Sequence, residues 1–576
     1  MVDSRYAFEV VNLLRTKSAS ASELIDVVEA RVSATDDIIH ATPIHCFDRA
    51  RSRLPVKGLC RPPLLGLPIL IKDTNAVEGV LWTRGSPHFA THVATYSGPM
   101  VRAVEESGAV VVGKTNTPEF AAGSQTFNPL FGTTPSPWDV RATSGGSSGG
   151  ACAALAACQC WLATGSDLGG SLRTPAAFCG VVGFRVSPGL VPRDDSLLAV
   201  SSRPGSHAVN GPLGRCVRDV GLLLDAMAGA GNEGWGFECP AVPAVTKGCF
   251  EAAAMRGAAR AGTPAPAEDT SFLQRGVGYS LLGCEFVDAV EVKCRAAFEL
   301  LAAVAPGGGR VLEEQFFDEA KSERAFHVLR AELFAKFFGP MIVAAEKEKE
   351  KEKEKEKEKE RETEKEAEKE AEVGGGPDPP TIKRDDWRLA ELKPAIVWNA
   401  RCGMCAQIKA AAEGARADCA ALLEETTTFF ATTCDVVCTP ATLDAAFDAG
   451  IRYPTSHPTT GASFDNYLDW MRPALVVTPT GCPALVLPCG ALDDGRPVGV
   501  QLIGAPGHDE GLLEVAALLE ALLMRSGALD ALNKGRGCPV PREGVGGPLF
   551  ADGPRSAEEE AAHHSGAVSR WRAKYL

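Results

Sequence analysis

The sequence predicts an α/β chain with a central, twisted, mixed β-sheet covered by helices on both faces. Three observations predict it. Short apolar runs such as 67–71 and 109–112 show no polar alternation, as expected of strands buried on both sides. These runs interleave with helical segments, the pattern of layered α/β folds. The stretch 150–163 is built from small, uncharged residues, and a helix without a polar face must be buried on most sides.

The elements follow in order. In "SASELIDVVEARV", Ser20 and Glu23 form a capping box, and Leu24, Val27, Val28 and Val32 lie along one side of the helix that follows. "PPLLGLPILIKD" contains a buried strand over 67–71. "GPMVRAVEESGAVVVGKTN" is a helix opened by Pro99 and closed by Gly108, then a strand over 109–112. "PALVLPCGALDDGRPVGVQLIG" is a pair of apolar strands around Asp494-Gly495, a hairpin.

One segment breaks the pattern. From Glu346 to Glu372 every even position is Glu and most odd ones are Lys or Arg. On a helix, opposite charges fall at i,i+3 and like charges at i,i+4, so the two effects largely offset. With no apolar face, the tract reads as a solvated spacer, frayed helix or disorder. The organisation expected is a single domain over 1–535 with this charged insertion at 346–372, then a loosely ordered tail over 536–576.

Bulk properties narrow the function. The chain has 576 residues, 45% of them hydrophobic, and a net charge of −14, of which the tract supplies −4. No block of Lys and Arg stands free of Glu, so a nucleic-acid surface is not expected. The longest nearly apolar stretch, 152–163, is too short to span a bilayer. The 19 cysteines fall well below disulfide-scaffold density, and a cytoplasmic protein with reduced thiols is expected. Cys402 and Cys405 form one CxxC, read as small buried thiols on a helix; Cys434 and Cys438 complete no usual zinc spacing.

Two motif matches are set aside. "GAVVVGKT", 108–115, fits GxxxxGK[ST], but its interior is a strand and no helix follows Lys114. "GSSGG", 146–150, fits GxSxG around Ser148, but a loop and not a strand runs into it.

What survives is an ordered set: Lys72 in "GLPILIKD", Ser147 in "SGGSSGG" and Ser171 in "DLGGSLR". Taken singly each has a structural reading. Lys72 could be a surface charge, Ser147 and Ser148 caps of the next helix, Ser171 a turn residue and Arg173 an ion-pair residue. A helix of about 14 residues spans roughly 20 Å, so the loop after it must fold back to bring Ser171 towards Ser147. Gly165, Gly169 and Gly170 are expected to supply that freedom.

The run from Gly145 to Pro175 resembles the signature of the amidase signature family, serine hydrolases with a Ser–cis-Ser–Lys triad. "NPLFGTTPSPWD", "GFRVSPGLVP", "LGLPILIKD" and "GCPALVLPCG…GRPVGVQLIG" are similar to further family segments, so the likeness covers roughly 5–525. Ser166 stands where Thr is usual and Cys152 where Gly, Ala or Ser is usual; neither is expected to touch the triad. "GFRVSPG" replaces the commoner Gly-Leu-Lys-Pro-Thr.

The resemblance implies the amidase signature fold, a cis Gly146–Ser147 peptide, Lys72 as base, Ser147 as relay and Ser171 as nucleophile. It implies an oxyanion hole from the N–H groups of Leu168, Gly169, Gly170 and Ser171, with Ser148, Asp167 and Arg173 in support and Asp167 as a loop brace. No cofactor or metal is implied. The expected partner is a small-molecule amide substrate, and a homodimer is left open. Burial should lower the Lys72 pKa, with a neighbouring carboxylate such as Asp73 raising it again. Two other roles are carried alongside amide hydrolysis. One is the A subunit of a glutamine-dependent aminoacyl-tRNA amidotransferase, the other a non-catalytic binding or scaffold member.

Overall fold

The computed structural model describes residues 6–54, 63–194, 208–228, 248–261, 273–370, 392–535 and 567–576. The chain divides into two compact units, 1–327 with 413–555 and 328–412 with 556–576.

The first unit is built on an eleven-stranded sheet. Its strands are β1 (Ile44–His45), β2 (Pro68–Lys72), β3 (Val110–Thr115), β4 (Leu162–Asp167), β5 (Val182–Arg185), β6 (Val209–Gly214), β7 (Val277–Tyr279), β8 (Gly309–Val311), β9 (Val436–Pro440), β10 (Ala484–Ala491) and β11 (Pro497–Gly504). They lie in the order β1-β3-β2-β4-β6-β5-β10-β11-β9-β7-β8. The sheet is mixed: β3, β2 and β4 run parallel, as do β9, β7 and β8, while the strands between are antiparallel. Every residue of β2, β3, β5, β6, β9 and β11 is buried, so both faces are covered as the apolar runs required.

Local signals behave as read. The Ser20 hydroxyl accepts from Glu23 N–H, and Glu23 Oε2 accepts from Ser20 N–H at 2.7 Å. The helix they open, Ala21–Ile39, buries Leu24, Ile25, Val28 and Val32, leaving Val27 half-buried. Pro99 opens the helix Pro99–Glu106, and Gly108 takes φ +91° ahead of β3. β10 and β11 pair around Gly495 at φ +87°. Lys114, from the rejected phosphate-loop match, lies buried within β3.

The stretch 150–163 departs from expectation. It is not one helix: the helix covers only Gly149–Ala156, and β4 begins at Leu162. The break has a local cause. Cys158 adopts φ +56°, and the Gln159 side chain is held by Thr35, Asp36 and Thr42. A strand, not a flexible loop, therefore carries the chain back towards Ser147. Gly165 lies inside that strand, where an added Cβ would stand 2.5 Å from Leu172 Cδ2 and 2.9 Å from Ser148 Oγ. Its role is close approach, not freedom.

The helix Glu319–Glu370 contains Pro340 and continues into the charged tract. Its packed turns, with Phe334, Phe338 and Ile342 buried, supply the helix nucleus that the tract alone would lack. In the second unit, Gly403 lets the helix Pro394–Gly403 approach Ala331, where a Cβ would lie 2.1 Å from the Ala331 carbonyl oxygen. Cys402 is buried there and Cys405, beyond the helix end, is half-buried. The tail expectation falls largely outside the described residues. Its last stretch, 567–575, is helical, buries Trp571 and Tyr575, and donates from Arg572 to the carbonyls of Arg401 and Met404.

Gly150 makes a sharp test of the packing beneath the site, because a Cβ there would lie 2.5 Å from Asn116 N and 2.6 Å from Asn116 O. Neither backbone atom can move aside cheaply. Gly150→Ala should lower unfolding free energy by about 2 kcal/mol in urea titrations, despite the better helix propensity of alanine.

Candidate active site

Lys72 ends β2, wholly buried, and its Nζ donates to Ser147 Oγ at 2.8 Å, Ser148 Oγ at 2.8 Å and Ser166 Oγ at 3.0 Å. β2 and β4 run parallel side by side, which sets Ser166 beside the lysine. Ser147 and Ser148 arrive from the other side, at the start of the helix Gly149–Ala156. The Gly146–Ser147 peptide is cis. The structural alternatives for these residues do not hold. Lys72 is no surface charge, and neither serine hydroxyl caps the helix, whose first N–H is bonded by Thr126 Oγ1.

Ser171 is 7% exposed, and its carbonyl accepts from Ser148 N–H at 3.2 Å. That bond ties the two glycine loops together. Among the described residues, none hydrogen-bonds the Ser171 hydroxyl. Gly170 takes φ +116° in front of it.

Asp167 organises the turn between β4 and Ser171. Its carboxylate accepts from the N–H groups of Gly170 and Leu172, and from Arg173 through Nε and Nη2 at 3.0 Å each. Arg185 adds a third ion-pair contact at 3.3 Å. All three side chains are fully buried. Burial pushes the Asp167 pKa up, but Arg173 and Arg185 override it and hold the carboxyl well below its ordinary range. The remaining Arg173 donors go to the Ala474 carbonyl, Gln501 and Thr478.

This corrects the expected oxyanion hole. The Gly170 N–H is committed to the Asp167 carboxylate at 2.9 Å. The N–H groups of Leu168, Gly169 and Ser171 donate to no described residue. The loop presents three donors, not four.

Desolvation lowers the Lys72 pKa to about 7, against the opposing pull of Asp167. The opposing carboxylate is not Asp73. That residue turns away to pair with Lys114 Nζ at 2.5 Å and to accept from Thr83 Oγ1.

Sequence reasoning misses two participants. Ser166 is expected to stay clear of the triad, yet it contacts the lysine directly. Its alternation with Thr164, whose hydroxyl accepts from Lys72 N–H, is the available signal once 162–167 is read as a strand. Arg185, in the divergent "GFRVSPG", is the second guanidinium on Asp167. Among the described residues no group of three or more His, Cys, Asp or Glu side chains is arranged to hold a metal, and no helix is long and apolar enough to cross a membrane.

A mixed sheet covered on both faces carries a buried lysine against three serine hydroxyls, beside a loop whose Leu168, Gly169 and Ser171 N–H groups donate to no described residue. The Amidase family model matches residues 23–252 and 385–513, and the chain belongs to that family. The A subunit of glutamyl-tRNA(Gln) amidotransferase from Moorella thermoacetica is 41% identical over 229 residues, 39% of this chain and 46% of that protein. Its counterpart from Prochlorococcus marinus (strain MIT 9303) is 41% identical over 223 residues, 38% and 45% of the two chains. The chain thus matches less than half the length of these relatives.

Solved structures share the fold across nearly the whole chain. A bacterial aryl acylamidase superposes with TM-score 0.71 at 19% identity, covering 93% of this chain and 99% of that one. For 6-aminohexanoate cyclic dimer hydrolase complexed with substrate the values are 0.67, 23%, 91% and 98%. For the glutamyl-tRNA(Gln) amidotransferase A subunit from Thermotoga maritima they are 0.59, 22%, 87% and 91%.

The Asp167 clamp gives a direct test. Asp167→Asn leaves two buried guanidiniums without a counter-charge and should cost about 3–5 kcal/mol of stability by urea denaturation. Loss of less than about 1 kcal/mol would show that the carboxylate does not hold the loop.

Proposed function

We propose that the chain hydrolyses carboxylic amides through a Ser171 acyl-enzyme, with Lys72 as base and Ser147 as relay. The observation that carries this reading is the contact of Lys72 Nζ with Ser147 Oγ at 2.8 Å, in a site dry enough to bring the lysine to about 7. Neutral Lys72 accepts the Ser147 proton, and Ser147 accepts that of Ser171. Ser171 Oγ attacks the amide carbon and the carbonyl oxygen becomes an oxyanion facing the N–H groups of Leu168, Gly169 and Ser171. The leaving nitrogen takes a proton back from Ser147, and amine or ammonia departs. Water then repeats the sequence on the ester, giving carboxylate and free Ser171. Ser148 and Ser166 hold the lysine in place, and Asp167, Arg173 and Arg185 hold the loop. The reaction draws on no cofactor, and the cytoplasm is its proposed location.

A second reading is the ammonia-releasing A subunit of a glutamine-dependent aminoacyl-tRNA amidotransferase. The 41% identity to such subunits from Moorella thermoacetica and Prochlorococcus marinus favours it. Co-purification with two further subunits separates it from a free-standing amidase. A non-catalytic scaffold member would show no Ser171 reactivity at all.

Ser171→Ala should abolish hydrolysis of amide substrates, a loss of roughly 10⁴-fold or more, while melting within a few degrees of the parent. A fluorophosphonate probe should label the parent at Ser171 and leave the variant unlabelled. Turnover persisting in a clean Ser171→Ala preparation would end the acyl-enzyme reading.

The pH profile tests the base. Only neutral Lys72 accepts a proton, so kcat/KM should rise with pH through about 7 and then level off. Lys72→Ala should remove that acid limb along with most of the rate. An unchanged limb in the residual activity would assign it to another group.

A further inference from the structure

Arg84 is a buried charge on the loop whose Thr83 hydroxyl bonds Asp73, the residue after Lys72. It is 9% exposed, and its guanidinium carbon lies 4.0 Å from the Trp82 ring centroid and 4.3 Å from that of Phe89. The guanidinium is clamped between two rings, yet it donates a hydrogen bond to no described residue, and its Nε is sealed from solvent without a partner. Arg173, buried more completely, uses its donors on four partners. Buried charges are ordinarily hydrogen-bonded, and a guanidinium held by rings alone, with its Nε unpartnered, calls for an explanation.

The nearby carboxylates do not fill the role. Asp73 and Asp194 act on Arg84 only through space. Asp73 is consumed by Lys114 and Thr83, and Asp194 accepts from the Tyr96 hydroxyl at 2.6 Å.

The loop that carries Arg84 is fastened to the catalytic elements at both ends. Thr83 bonds Asp73, the residue after Lys72. Gly85 presses on Thr117, where a Cβ would lie 2.6 Å from the Thr117 carbonyl oxygen. Thr117 Oγ1 in turn donates to the Ser147 carbonyl at 3.1 Å. The Arg84 carbonyl accepts from Phe120 N–H at 2.8 Å. Arg84 at φ +55° and Phe120 at φ +50° both hold the left-handed region that side chains avoid. Such positions concentrate where a ligand is recognised.

We infer that Arg84 is a carboxylate-recognition residue, and that the substrates of this site are amides bearing a carboxylate away from the scissile bond. The inference rests on the amide-hydrolase reading. A planar guanidinium held flat between rings presents its N–H edge in the fork that matches a carboxylate, and the rings hold the side chain in place before the ligand arrives.

The test is a binding comparison in the Ser171→Ala background, where substrate is not consumed. Succinamate and butyramide, which differ by the distal carboxylate, are titrated calorimetrically. Succinamate should bind about 10- to 100-fold more tightly, and the added Arg84→Gln change should erase the difference. Arg84→Lys keeps the charge over the rings but loses the fork, and serves if Arg84→Gln fails to fold; it should reduce the preference several-fold. Equal affinity for the two probes, or a preference untouched in a folded Arg84 variant, overturns the assignment. Turnover by the parent enzyme is scored separately. Failure to hydrolyse any amide counts against the hydrolase reading and leaves the binding comparison standing.

Discussion

Asp167 is the interaction on which the rest of the site depends. One fully buried carboxylate gathers two guanidiniums and two backbone N–H groups. Through Arg173 it reaches the carbonyl of Ala474, Gln501 on β11 and Thr478, residues more than 300 positions away in sequence. Through Arg185 it reaches β5. The loop that carries Ser171 is therefore not a loose turn. It is fixed to the sheet by charge-assisted bonds in a medium where such bonds are strong and any vacancy is costly.

The same carboxylate shapes the lysine. Unopposed, Asp167 would favour charged Lys72; its charge is shared by two arginines, and desolvation of the lysine prevails. Asp73, the nearer acid in sequence, is drawn off by Lys114 across β2 and β3. Burial lowers the pKa of both lysines on these adjacent parallel strands, but their partners differ. Lys114 has a carboxylate in contact and Lys72 has only hydroxyls.

Much of this is legible in the sequence, for reasons that can be named. Unbroken apolar runs announce the two-sided sheet. Ser20 with Glu23, Pro99 with Gly108, and Asp494-Gly495 are local signals whose physics is complete within a few residues. The long signature from Gly145 to Pro175 singles out Ser147 and Ser171, and with "LGLPILIKD" it points to Lys72. The structure brings Lys72 and Ser147 into contact and joins the Ser171 backbone to Ser148. What is not legible depends on distant partners. Over 150–163 the sequence overextends the helix, because a run of small apolar residues suits helix and buried strand alike. The break turns on Gln159 meeting Thr35, Asp36 and Thr42. The resemblance implies Gly170 as an oxyanion donor, because a sequence cannot show which way an N–H points. Ser166 and Arg185 look peripheral for the same reason: the first matters through a neighbouring parallel strand, the second through a carboxylate 18 residues away.

The three hydroxyls around Lys72 amount to a proton inventory. An ammonium has three N–H donors, and Ser147, Ser148 and Ser166 offer three acceptors, so the charged form is fully matched. The neutral amine has two donors and one lone pair, and one hydroxyl must then reverse and donate. Ser148 is already occupied, its own proton directed at the Ser166 carbonyl. The reversal falls to Ser147 or Ser166. When it falls to Ser147, the bond that satisfies the empty lone pair is the same bond that the proposed relay uses. Once Lys72 has given up a proton, the turn of a single hydroxyl is enough to restore a full set of partners around the neutral amine.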